Sequence, residues 1–225
     1  MRLAHGWELI RCSGFPEAWI AEFVRPAIHG VPRSLAARLG RCRLTLLPKF
    51  DDPARMSQWT SNGSSLEISV AAAGEGHDVA LEVLTCLGQA LWERLSKVEE
   101  SGYWRLLDAE ILANISGEMD EQALDAKRLL LADRAHARDP RCLERYGVTS
   151  FAATAAEYVH CLWHDVTIRT GEAYLPAPQL RRRLELLARW FPPDRGYALF
   201  PARGGPSYSA CGAAASCSIQ RRIRR

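Results

Sequence analysis

The segment "EYVHCLWH", residues 157–164, gathers the residue types that do chemistry at neutral pH. Glu157, His160 and His164 stand at i, i+3 and i+7, so a helix would present all three on one face. His160-x-x-x-His164 is a spacing at which two imidazoles bind one divalent transition metal. A third ligand has to come from elsewhere, and His77 or Cys86 can supply it if their helix crosses this one. That arrangement would make a metal-dependent hydrolase on Glu157, His160 and His164. A thiol hydrolase, pairing Cys86 or Cys161 with His160 or His164, is the weaker alternative. Cys161 adjoins His160, but helix neighbours point about 100° apart and do not pair. No nucleophile elbow, P-loop or G-x-G-x-x-G is present.

Two basic stretches, Arg181–Arg183 and "QRRIRR" at the end of the chain, could meet phosphates. The first runs into "LELLARWF" and reads as a solvated helix face. Neither interleaves aromatic residues for base stacking, and the net charge is only +3, so nucleic acid is not expected as a partner. Trp92, Tyr103, Trp104, Tyr158 and Trp163 recur at helical spacing and belong mostly to a core.

The elements that must position these residues follow from periodicity. Pro16 to Gly30 carries Trp19, Ile20, Phe23 and Val24 at helical spacing, with Pro16 in its first turn and Gly30 at its end. Ser34–Leu39 is a short helix stopped by Gly40. "CRLTLLPKF" is a strand ended by Pro48, and "DDPARMSQWTSNGSS" a turn-rich connection marked by Asn62-Gly63. In "SLEISVAAA", Leu66, Ile68 and Val70 alternate with Glu67 and Ser69, as in a strand at a sheet edge or beside a cleft.

The helix from Val79 to about Lys97 is the best patterned, with His77 or Asp78 as its cap. Val79, Val83, Leu84, Leu87, Leu91 and Leu95 form its core stripe. "SGYW" breaks it, and helices follow at 105–115, 118–138, 150–169 (capped by Thr149 or Ser150) and over "PQLRRRLELLARWF". Residues 1–200 form one domain, and the small-residue and basic stretch 201–225 is expected to be a mobile tail.

At 225 residues, 48% apolar and 24% charged, the chain has ordinary globular composition. Without an apolar run of eighteen residues or a signal-like N-terminus, the expectation is a cytoplasmic protein with no membrane role. Seven cysteines at irregular spacing, with no C-x-x-C, fit neither a disulfide scaffold nor a structural zinc site.

The order helix, strand, turn, strand, Gly-rich break and long helix resembles the N-terminal half of a zincin metallopeptidase. "TCLGQALW" aligns on "HELGHALW" with Leu, Gly, Ala, Leu and Trp kept. The resemblance covers roughly residues 42–166. It implies an α+β fold, with a small twisted mixed sheet packed against several helices, including a long central one. It puts Thr85 and Gln89 at the positions of the two zinc-binding histidines and Cys86 at that of the general base. "AAEYVHCLWHD" is similar to the later helix that supplies a third ligand in the glutamate-zincin branch, which assigns that position to Glu157. Tyr146 falls where some such families carry a substrate-facing tyrosine.

A hydroxyl and a neutral amide are poor zinc ligands, and one carboxylate cannot hold the ion alone. Without it, water stays a weak nucleophile at neutral pH. The expectation is a non-catalytic metallopeptidase-like domain with no cofactor. Its relict cleft (Thr85, Cys86, Gln89, Tyr146, Glu157) and edge strand (Leu66, Ile68, Val70) would bind a peptide or protein. A helical interaction protein without zincin ancestry is the remaining alternative.

Overall fold

In the computed structural model, which describes residues 1–164 and 171–200, four short strands make one mixed sheet. They are β1 (Glu8–Arg11), β2 (Arg41–Leu47), β3 (Ser57–Asn62) and β4 (Ser65–Ala71), in the spatial order β1-β2-β4-β3. β1 and β4 both run parallel to β2, and β3 runs antiparallel to β4. Asn62 pairs with Ser65, so Gly63 and Ser64 alone turn the hairpin. Gly63 has a φ of 57°, a conformation that side chains with a Cβ resist.

This order corrects the edge-strand assignment. Leu66, Ile68 and Val70 lie on β4, an interior strand paired on both sides, and all three are buried. The free edge on that side belongs to β3, within the stretch read as a connection. β3 was hidden because its sequence, SQWTSN, is polar apart from Trp59. An edge strand covered on one face needs little more apolar content than that.

The helices are α1 (Glu17–Trp19), continued by a π-helical stretch Ile20–Val24 into α2 (Arg25–Gly30), then α3 (Arg33–Leu39) and α4 (Gly76–Trp92). After them come α5 (Lys97–Leu112), α6 (Glu121–Leu131), α7 (Pro140–Trp163) and α8 (Ala177–Trp190). The α+β expectation holds. None of the described helices is long and apolar enough to cross a membrane.

α4 is the central helix, packed on β3 and β4 with one side and on α7 with the other. Its cap is Glu75 rather than His77 or Asp78, and Glu75 and Asp78 form a reciprocal capping box. That leaves His77 pointing away from the capping role. Gly88 is what lets α4 and α7 touch. A Cβ there would lie 2.7 Å from the Ala152 carbonyl oxygen and 2.8 Å from its Cα.

Helix boundaries moved where caps outrank periodicity. α4 ends at Trp92, and Ser96 opens α5 with a capping box to Glu99, so "SGYW" lies inside a helix. α7 begins at Pro140 behind the Asp139 cap, ten residues before Ser150. The region 118–138 contains α6 and a separate 3₁₀ turn at His136–Arg138. The expected tail, 201–225, lies outside the described residues.

Candidate functional site

A stripe of α4 that includes Leu81, Glu82, Thr85 and Gln89 stays half-exposed, while its flanking residues are buried. It forms the floor of a groove. On one side stands β3, tied to the helix where Ser57 Oγ donates to Glu82 Oε1 (2.5 Å) and Trp59 Nε1 donates to Gln89 Oε1 (2.7 Å). On the other side a partly open cavity of about 170 Å³ lies between α4 and α7, lined by Leu81, Thr85, Asp120, Ala153 and Glu157 among others. Its outer wall is the 173–175 segment, held by Glu118 N to Ala173 O (3.1 Å) and Leu175 N to Glu118 O (3.0 Å).

The relict-cleft residues are only partly brought together. Thr85 and Glu157 face the same cavity. Gln89 turns to Trp59 on β3 instead. The Thr85 hydroxyl is committed to the Leu81 carbonyl (3.0 Å). These donors do not fit a zinc ion, in chemistry or in arrangement. Cys86 is buried on the sheet side of α4, with Ser57 and Cys42 as neighbours. Burial pushes its thiol up to about 12, so it cannot act as a base or nucleophile at neutral pH.

Tyr146 is a further correction. It is wholly buried and its hydroxyl donates to Glu118 Oε1 (2.6 Å), so it cannot reach a substrate. It belongs to an ionic cluster in the core, centred on Arg183, contrary to the solvated helix face expected of Arg181–Arg183. Arg181 and Arg182 are exposed, but Arg183 is fully buried on the other side of α8. Its guanidinium makes 2.5–3.2 Å bonds to Glu110 and 2.8 Å bonds to Glu118 and Ser150. Lys127 Nζ adds a 3.4 Å contact to Glu118. Burial opposes the Glu118 carboxylate, but the charge and bonds of Arg183, with Lys127 and Tyr146, outweigh it and hold its pKa below the ordinary value. Tyr103 closes the cluster through Ser150 and Thr154, and burial lifts its phenol to about 12.

The C-terminal end of α7 carries the other reading. Glu157, His160 and His164 do share a face, and His77 from the first turn of α4 meets them. His77 Nε2 lies 2.9 Å from His160 Nε2, and the rings of His160 and His164 stack with centroids 5.1 Å apart. One ring nitrogen from each of His77, His160 and His164 falls within 4.8 Å of the others. Glu157 is not one of the three. Its Oε2 approaches His160 Nδ1 at 3.5 Å, on the side of the ring opposite His77. Burial, then the neighbouring His160 and His164, lower the pKa of His77 and favour the neutral, ligating form.

The thiol pairing is not formed. Cys161 Sγ is directed to Glu157 Oε1 (3.4 Å), and burial raises its pKa. Asp120, Glu82 and Trp59 were not singled out from the sequence. Asp120 carried one usable signal, as an N-cap before the helix "EQALDAKRLL", and its carboxylate accepts from Ala123 N (2.8 Å). No family model matches the chain, and no curated protein or solved structure matches it either.

Proposed function

We propose that the groove along α4 binds an extended peptide segment without cleaving it. The observation that carries this reading is the cavity that Thr85 and Glu157 share, with the Thr85 hydroxyl committed to the Leu81 carbonyl and Gln89 turned to Trp59, so that the two histidine positions of the zincin motif supply no metal ligand. The resemblance to zincin metallopeptidases supports it, since the same positions would carry zinc in an active relative.

Two features specify the ligand. The first is the edge of β3. Ala71 N donates to Met56 O, and antiparallel alternation then turns the N–H and C=O groups of Ser57, Trp59 and Ser61 outward. A peptide strand can pair with them. The second is charge. Glu82, Asp120 and Glu157 border the groove, and burial, with the nearby Glu118 and Glu82 charges, raises the pKa of Asp120. A lysine or arginine side chain relieves that crowding, so the favoured peptide is basic.

The test is anisotropy titration of fluorescent decapeptide pools sorted by net charge. Basic pools should bind and remain intact on prolonged incubation, with or without added zinc. Ser61→Pro, which removes an outward N–H and no ladder bond, should weaken them, as should Glu157→Lys. Equal binding of acidic and basic pools, or cleavage of the peptides, would overturn the proposal.

A further inference from the structure

We infer that His77, His160 and His164 bind a divalent transition metal of the zinc class, with Glu157 as the carboxylate that positions His160. The site is separate from the Thr85 and Gln89 positions, and lies at the other end of the α4–α7 crossing. His77 occupies the first turn of α4, while His160 and His164 occupy the last turn and C-terminal cap of α7. The close approach at Gly88 sets the two helices so that these ends meet.

Two nitrogens bound to one tetrahedral zinc at ~2.05 Å sit roughly 3.3 Å apart. The 2.9 Å between His77 and His160 is close to that span. One ring nitrogen of the exposed His164 lies within 4.8 Å of the other two. Three imidazoles and no carboxylate ligand suit zinc, cobalt, nickel or copper, and not calcium or magnesium, which require oxygen.

Coordination through Nε2 puts the His160 proton on Nδ1. That atom is buried, makes no hydrogen bond, and faces Glu157 Oε2 at 3.5 Å. A carboxylate behind a ligating histidine fixes its tautomer and orientation. With His164 at the surface, the fourth coordination position is open to water or to a side chain of a bound peptide.

The test uses the whole, untagged chain, dialysed against chelator, with zinc titrated in competition with a chromophoric chelator. One equivalent should bind. His77→Ala and His164→Ala should each weaken binding at least ~100-fold, and Glu157→Gln by about 10–100-fold. Thr85→Ala, two turns along α4 and outside the ligand set, should leave it unchanged. Circular dichroism checks that each variant is folded, and the exposed His164 can be changed to Gln if Ala fails. Cobalt should give the intense visible absorption of a tetrahedral site. Substoichiometric zinc, undiminished affinity in the folded His77 and His164 variants, or an equal loss in Thr85→Ala would overturn the site.

Discussion

α7 carries two polar clusters, one at each end, and they differ in how completely they are satisfied. Nearer its N-terminus, Tyr146, Ser150 and Thr154 enter the ionic core, where every N–H of Arg183 has an acceptor and two cations face two carboxylates. Its C-terminal end brings His160 and His164 to His77, with Glu157 behind His160, whose buried Nδ1 makes no hydrogen bond, and with His164 at the surface. A closed and neutral buried network fixes the fold. A convergent set of ring nitrogens that reaches the surface at His164 is open to an ion from solution.

The widest separation between the clusters should come from Arg183→Met. Removing the guanidinium leaves Glu110 and Glu118 buried without their main partner, which costs about 3–5 kcal/mol. Urea denaturation should show a loss of that size, while His77→Ala should shift the midpoint far less. A small loss in Arg183→Met would mean that water reaches the cluster.

The ionic core also predicts an acid limit. Glu118 has a folded-state pKa below its ordinary value of 4.5, so its contribution to stability is complete above that value. It should be lost as pH falls through the folded-state pKa, because the unfolded chain takes up the proton first. Urea midpoints from pH 7 down to pH 3 should therefore decline mainly at the acid end, and Glu118→Gln should flatten that decline.

Gly88→Ala sharpens the comparison from the other side. The added Cβ pushes α4 away from Ala152 and should cost about 1–3 kcal/mol. It should also weaken zinc binding, since α4 carries His77. The Arg183 cluster takes no residue from α4 and should keep its acid limit. The smallest effect belongs to Thr85→Ala, whose hydroxyl only bonds back to its own helix, with an expected change within about 0.5 kcal/mol in thermal or urea unfolding.

What could be read from the residues, and what could not, divides along the range of the interactions. The spacing of Glu157, His160 and His164 is local helix geometry, so their common face was legible, and His77 was already one candidate for the missing ligand. Which helix crossed there was not, because Gly88 sets that contact through a residue 64 positions away, Ala152. β1 escaped because it is only four residues long and buries Leu9 alone, and β3 because Trp59 is its only large apolar residue. Arg183 hid in a run of three arginines, although Leu180, Leu184 and Leu187 place it in the middle of an apolar stripe. Glu118, its partner, has no local signal at all, since it is recruited over a separation of 65 residues.

On this account one end of α7 is built for stability and the other for a ligand. The most direct measurement is thermal unfolding of the wild type and of His164→Ala, each with and without zinc. At free zinc about 100-fold above its dissociation constant, the wild type should gain about 2.7 kcal/mol, seen as a higher Tm. His164→Ala should start from nearly the same Tm and gain little. An equal zinc response in both proteins, or none in either, would contradict the account.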